Sequence, residues 1–138
     1  MTCRHSRETE GQAQVFRLLI LAYLELFRLE IPMSRGKFER VHATVRKCPT
    51  TRFVKTHPGE ADILRAMELA CVFYFKEVRC LQRSAATTCL LRRYGIAAEM
   101  VIGVQHLPFR AHAWVEFAGT CLNDKPYVPE MYCVLDRC

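Results

Sequence analysis

The sequence predicts an α+β protein in which N-terminal helices and a central helix pack on a small antiparallel sheet. Three observations carry that expectation. Apolar residues recur at helical spacing from Gln12 to about Gly95, the pattern turns β-branched from Ala98 onward, and turn-forming residues separate the last segments. Helices first and strands afterwards make the class α+β. With 138 residues and 51% apolar content the chain can bury a real core, and a single domain over residues 1–138 is expected. A 25% charged fraction with only 6 Gly and 6 Pro excludes disorder, collagen and low-complexity linkers.

Residues 1–11 are polar and aperiodic and read as a mobile tail. From Gln12 to Glu30 the apolar positions Val15, Leu18, Leu19, Ala22, Leu26 and Leu29 describe a well-buried helix, ended by Pro32. Between Ser34 and Thr56 stand Arg35, Lys37, Arg40, Arg46, Lys47, Arg52 and Lys55 against the single acid Glu39, an excess of six that equals the net charge of +6. Phe38, Val41 and Val45 keep helical spacing there, so a short amphipathic helix with a basic outer face is expected. That face is either simply solvated or an electrostatic guide for an acidic peptide or partner. No aromatic-interleaved strand or helix-turn-helix pattern accompanies it, which argues against nucleic acid. Residues 12–57 thus form a helical, basic N-terminal region.

Residues 58–138 hold the remaining elements. After His57-Pro58-Gly59 a helix begins near Glu60, with Glu60 and Asp62 suited to its first turn and Ile63, Leu64, Met67, Cys71 and Tyr74 facing inward, and it ends near Val78. A second helix starts at or beside Cys80, turns Leu81, Ala85, Cys89 and Leu90 or Leu91 inward, sets Arg92 and Arg93 at its negative end and closes on Gly95. Met100 to Val104 is a strand, followed by a loop QHLPFR that Pro108 keeps out of regular pairing. Ala111 to Glu116 and Thr120 to Asp124 are two strands joined around Phe117-Ala118-Gly119, with Gly119 in the left-handed region, and Tyr127 to Leu135 adds one more.

The longest apolar stretch, Val15 to Ile31, is interrupted by Arg17, Glu25, Arg28 and Glu30, and its uncharged part from Leu18 to Leu24 is too short to span a bilayer. Glu8 and Glu10 stand where a signal peptide needs basic residues. A cytoplasmic protein is expected. In that compartment most of the 8 cysteines are small buried hydrophobes instead of a disulfide framework. No C-x-x-C pair exists, and Cys121, Cys133 and Cys138 lack zinc-ribbon spacing, so no metal is expected.

Cys80, His112 and Asp124 are the candidate chemistry: a thiol, a base and a carboxylate. A helix start offers unpaired N–H groups and a positive dipole end, which stabilise a thiolate at Cys80. With a three-residue loop at Phe117 to Gly119, Glu116 opposes Thr120 and counting outward puts His112 opposite Asp124, where Cβ atoms lie roughly 4.5–5.5 Å apart. A two-residue loop shifts that register by one. Trp114 shares the face of His112 by parity and either walls a cleft or packs in the core. Cys121 is the nearest rival thiol and lacks an activating helix end.

Cys80-Leu81-x-Arg83-Ser84, LLRRYGI, VIGV, Pro108-Phe109, AHAWVE from Ala111 to Glu116, Gly119 and Leu122-Asn123-Asp124, taken in this order, resemble the transglutaminase-like leader peptidases of lasso-peptide biosynthesis. The likeness is dense over residues 78–125 and loose elsewhere. It implies a papain-like cysteine protease with Cys80, His112 and Asp124 as its catalytic triad and no cofactor. Arg83, Phe109 and Trp114, which lie in the resembling motifs, become candidate substrate contacts. The first 57 residues are too short and strand-poor for a leader-binding domain as well. The resemblance therefore implies a separate leader-recognition protein, a precursor peptide as substrate and a macrolactam-forming cyclase downstream. One departure stands out: the family commonly continues the Arg-Ser pair with Leu-Ala-Leu, whereas Ser84 is followed by Ala85-Ala86-Thr87. Two other functions fit the same residues: acyl transfer of the transglutaminase type, in which an amine resolves the thioester, and a non-catalytic module that holds an acidic leader on the basic segment.

Overall fold

A helix that must lie along a core shows its periodicity only where it touches that core, and the first helix illustrates this. In the computed structural model, which describes residues 3–52 and 58–138 and side chains from Thr9 onward, α1 runs from Cys3 to Ser34. Lys55, Thr56 and His57 lie outside the described residues. Leu18, Ala22, Leu26, Leu29 and Met33 form the buried face of α1. The start expected at Gln12 is therefore not a helix boundary: the helical backbone runs through most of the segment read as a tail, where no apolar stripe reveals it. The expected stop at Pro32 is also corrected. So close to the C-terminus, proline's missing N–H removes a single bond, and the helix closes instead on Gly36, whose φ is 65°. The Gly36 N–H donates to Met33 O (3.2 Å) and the Lys37 N–H to Pro32 O (2.8 Å), a Schellman closure.

Helix α2, Phe38–Lys47, buries Val41 and Val45 as its spacing requires, while Phe38 stays half exposed. Helix α3, Glu60–Val72, buries Ile63, Ala66, Met67 and Ala70 and stops short of Val78. The reason is tertiary. Tyr74 leaves the helical path so that its hydroxyl donates to Glu30 Oε2 (3.0 Å) and its ring meets Tyr23 at 5.1 Å, and aromatic residues have little intrinsic helix preference to oppose this. Helix α4, Cys80–Arg93, is central: Gln82 and every residue from Ser84 to Leu91 are buried. Helices α1 and α3 pack against it and β2 lies along it. It closes on Gly95 (φ 81°), as the sequence indicates.

The sheet has the order β3-β2-β1-β4 and is antiparallel throughout, with β1 Glu99–His106, β2 Phe109–Phe117, β3 Thr120–Cys121 and β4 Cys133–Arg137. Part of the expected last strand forms instead a short helix, α5, Val128–Met131. The expected QHLPFR loop is corrected too: pairing continues to His106↔Phe109, so only Leu107 and Pro108 form the turn, where proline costs the ladder no N–H. The β2–β3 loop is Ala118-Gly119, with φ of 49° and 77°, the pattern of a type I′ turn. Phe117 pairs with Thr120 and Glu116 with Cys121, one position away from the register expected for a three-residue loop. Among the described residues no helix is long and apolar enough to cross a membrane.

Glu30 joins the helices. Its carboxylate accepts from Ser34 Oγ (2.5 Å), Tyr74 Oη (3.0 Å) and Gln82 Nε2 (3.0 Å) and pairs with Lys76. Gln82 also donates to Leu26 O (3.0 Å), binding α4 to α1. Burial alone would raise the Glu30 pKa, but the Lys76 ammonium and the three neutral donors hold it down to about 2. A carboxylate depressed from 4.5 contributes stability that is complete above its unfolded value and is lost as pH falls toward 2. Urea midpoints of the wild type should accordingly drop between pH 4.5 and 3. Glu30→Gln should be destabilised at pH 7 by about 1–3 kcal/mol and show a flatter acid profile. Equal slopes for the two proteins would remove Glu30 from the acid response.

Candidate active site

The outer edge of β2 must satisfy its backbone groups without a full neighbouring strand, because β3 is only two residues long. Side chains take over where β3 stops. The Leu122 N–H donates to Val115 O (2.9 Å), and the Val115 N–H donates to Asn123 Oδ1 (2.8 Å). Asn123 Nδ2 donates to Ser84 Oγ (3.0 Å), whose hydroxyl donates to Ala113 O (2.9 Å). The Ala113 N–H, next along the edge, lies close enough to the Cys80 sulfur to help lower its pKa. Cys80 and Ser84 stand four residues apart on α4, so one helix face supplies two successive partners for one strand edge.

This arrangement brings Cys80, His112 and Asp124 together. His112 Nε2 lies 2.7 Å from Asp124 Oδ2, which leaves Nδ1 for the hydrogen bond with the Cys80 thiol. Asp124 does not reach His112 as a cross-strand partner. Beyond Cys121 the chain leaves the ladder, Asn123 turns inward to β2, and Asp124 is delivered from the following turn, held by the Lys125 N–H at 2.8 Å. Arg83 Nη2 lies 3.6 Å from the same carboxylate oxygen.

The electrostatics favour an ion pair. The hydrogen bond from His112 lowers the Cys80 pKa against the opposing effect of burial, and the N–H groups of Ala113 and Leu81 add to it. The same bond raises the pKa of His112, again against burial, with Asp124 contributing. Burial pushes Asp124 up, but His112, the Lys125 N–H and Arg83 together hold it below the usual carboxylate range. Cys121, by contrast, is raised, chiefly by burial.

Of the other sequence candidates, Arg83 faces Asp124, as above. Trp114 is fully buried and packs with Val101 and Val128. Its Nε1 donates to Glu116 Oε1 (2.7 Å), and its ring stacks beside His112 at 6.2 Å, so it backs the imidazole from inside the protein. Phe109 is 73% exposed at the tip of the β1–β2 hairpin, and strand alternation puts it on the face opposite His112. The structure does not bring it to the three residues.

Sequence reasoning passed over Ser84, Asn123, Tyr132 and Gly103. The Tyr132 ring lies 5.3 Å from the His112 ring and 5.9 Å from that of Trp114. Gly103 pairs with His112 across β1–β2, and a Cβ there would lie 2.8 Å from Trp114 Cη2 and 2.9 Å from Tyr132 Cβ. The i, i+4 spacing of Cys80 and Ser84 was a usable signal. Asn123 adjoins Asp124 in the Leu122-Asn123-Asp124 motif, and nothing local in the sequence marks Tyr132 and Gly103 as neighbours of His112. Among the described residues no group of three or more His, Cys, Asp or Glu could hold a metal ion.

Comparison with known proteins bears on this arrangement. The model of the transglutaminase-like superfamily matches residues 23–136, from the middle of α1 to the end of β4. The Microcin J25-processing protein McjB of Escherichia coli is 39% identical over 56 residues, which are 41% of this chain and 27% of that protein. The chain thus matches about a quarter of that relative's length. No solved structure matches.

Site-resolved alkylation of Cys80, followed by peptide mass spectrometry across pH, should give a midpoint below the ordinary thiol value of about 8.5, and His112→Ala should move it upward. An unmoved midpoint would mean that the imidazole does not set the thiol's ionisation. Gly103→Ala should cost about 1–3 kcal/mol by overpacking and shift the His112 ring resonances in an NMR spectrum, because Trp114 or Tyr132 must give way.

Proposed function

Because the chain belongs to the transglutaminase-like superfamily, and because Cys80, His112 and Asp124 meet at the open edge of β2, we propose that it is a cysteine peptidase that removes the leader of a ribosomally made lasso-peptide precursor. The observation that carries this reading is the three-residue convergence, with a thiol lowered and an imidazole raised by one shared hydrogen bond. The partial likeness to a protein named for processing a microcin supports the choice of a peptide substrate. Residues 1–138 act as one peptidase domain. A separate protein recognises the leader, a macrolactam-forming cyclase takes the product, and all of this happens in the cytoplasm.

In this mechanism the Cys80 thiolate attacks the scissile carbonyl, forming the C–S bond while the carbonyl π pair moves to oxygen. The Cys80 N–H, free at the first turn of α4, is one donor for that oxyanion. Collapse of the intermediate breaks the C–N bond as imidazolium His112 gives its proton to the leaving amine, and a thioester remains. Water then attacks the thioester, His112 takes its proton, and the carboxylic acid leaves Cys80. Asp124 holds the ring with Nδ1 toward sulfur and stabilises its charged form.

Cleavage of the precursor by the chain, assayed with the leader-recognition protein present, tests the reading. Two peptides should appear for the wild type and none for Cys80→Ala, and His112→Ala should lose on the order of 10³-fold in rate. The kcat/KM profile should be bell-shaped. Its acid limb should reflect ionisation of the lowered Cys80 thiol, and its alkaline limb loss of the His112 proton above the ordinary value of 6.5. Undiminished cleavage by Cys80→Ala would exclude the mechanism, and products that join the masses of peptide and amine would identify acyl transfer.

A further inference from the structure

Helix α1 carries a second apolar face that the fold does not use. Phe16 (64% exposed), Ile20 (44%), Leu24 (56%), Phe27 (55%) and Ile31 (58%) are all large and uncovered. At 3.6 residues per turn these five fall within a sector of about 80°. That sector lies on the side of α1 away from the core set of Leu18, Ala22, Leu26, Leu29 and Met33. A continuous apolar stripe of this kind on a long surface helix marks an interaction site, not the scattered exposure that is normal for single residues. It lies wholly on α1, apart from the elements that carry Cys80, His112 and Asp124.

The spacing of the stripe selects its occupant. Reading from Phe16, the steps are four, four, three and four residues, and reading back from Ile31 they are four, three, four and four. Laid antiparallel on a second copy, Phe16 faces Ile31 and Ile20 faces Phe27, both pairs summing to the same residue number, and Leu24 lies next to the twofold axis. A surface that complements itself in this way is what a twofold, isologous contact requires. The area is also of the right order. Five large side chains about half exposed leave roughly 500 Å² of apolar surface, and polar neighbours over the paired stretch, residues 13–34 or about 33 Å of helix, extend this toward the roughly 800 Å² per partner of a stable interface.

We infer that this stripe is a homodimer interface, in which α1 of one chain packs antiparallel on α1 of a second copy. Apolar positions in steps of four and three are those of helix pairs that interdigitate side chains. The inference stands independently of the peptidase reading.

Sedimentation velocity of the full chain between about 1 and 100 μM, a range that brackets interfaces of this size, tests it. The wild type should move from monomer to dimer over that range, and Leu24→Glu, which sets two carboxylates beside the axis, should remain monomeric with an unchanged helical circular dichroism spectrum. Ile20→Glu and Phe27→Lys should each weaken the dimer at least tenfold. An equimolar mixture of the two should recover it as a heterodimer, because the carboxylate introduced in one variant faces the ammonium introduced in the other only in the antiparallel register. A wild type that stays monomeric would overturn the inference and give the stripe to a different protein, such as the leader-recognition partner. Dimerisation of Leu24→Glu equal to wild type, or failure of the mixture to recover, would overturn it as well.

Discussion

The outer edge of β2 is the constraint on which the rest depends. A strand edge in a protein interior must find a partner for each N–H and C=O that it presents. Here β3 supplies partners only as far as Cys121, and the succession Leu122 N–H, Asn123 amide and Ser84 hydroxyl continues the edge as far as the Ala113 carbonyl, beside the Cys80 sulfur whose pKa the Ala113 N–H helps to lower. Strand, helix and turn are thereby fixed relative to one another by bonds that backbone pairing would otherwise supply. The thiol, the imidazole and the carboxylate each sit next to one of these bonds in sequence or in space. Their mutual placement is a by-product of satisfying an unfinished sheet.

Such a site needs a helix that cannot shift, and α4 is held from both sides. Ser84 fastens it to β2, while Gln82 fastens it to Leu26 O and Glu30 on α1. At its far end Arg92 donates to Ala98 O, Val45 O and Cys48 O, and Thr51 donates to the carbonyls of Arg92 and Arg93. These polar residues interrupt what would otherwise be an apolar helix. Each finds a directed partner, so the helix is positioned along its axis and about it, which non-directional apolar packing alone does not achieve. Part of the basic N-terminal region has similar structural employment, since Arg46 pairs with Asp136 on β4.

Much of this was legible in the sequence because it follows local rules. The order of helices and strands, the start of α4 at Cys80 and its end at Gly95, and the left-handed Gly119 all rest on periodicity or on a single residue's backbone freedom. What was not legible depended on contacts distant in sequence. The end of α3 is set by the reach of Tyr74 to Glu30, the first turns of α1 carry no apolar spacing that would announce a helix, and the shortness of β3 is set by Asn123 turning toward β2. The hairpin shows how a correct residue and a wrong count can coexist: Gly119 adopts the expected conformation, yet Ala118 joins it at positive φ, and the loop is a residue shorter. The proximity of His112 to Asp124 then arises from a turn outside the ladder, not from cross-strand register.

The side chains that finish the β2 edge also hide it. An unpaired edge strand is a template on which another chain can add, the usual beginning of aggregation, and proteins blunt such edges with charge, bulges or covering loops. In this chain the covering is supplied by Asn123, Ser84 and Cys80 themselves. Withdrawal of Asn123 would free the Val115 N–H, and withdrawal of Ser84 would free the Ala113 carbonyl, the two groups to which a foreign strand would bond first. The residues that hold the site together are thereby also the ones that keep this edge closed to other chains.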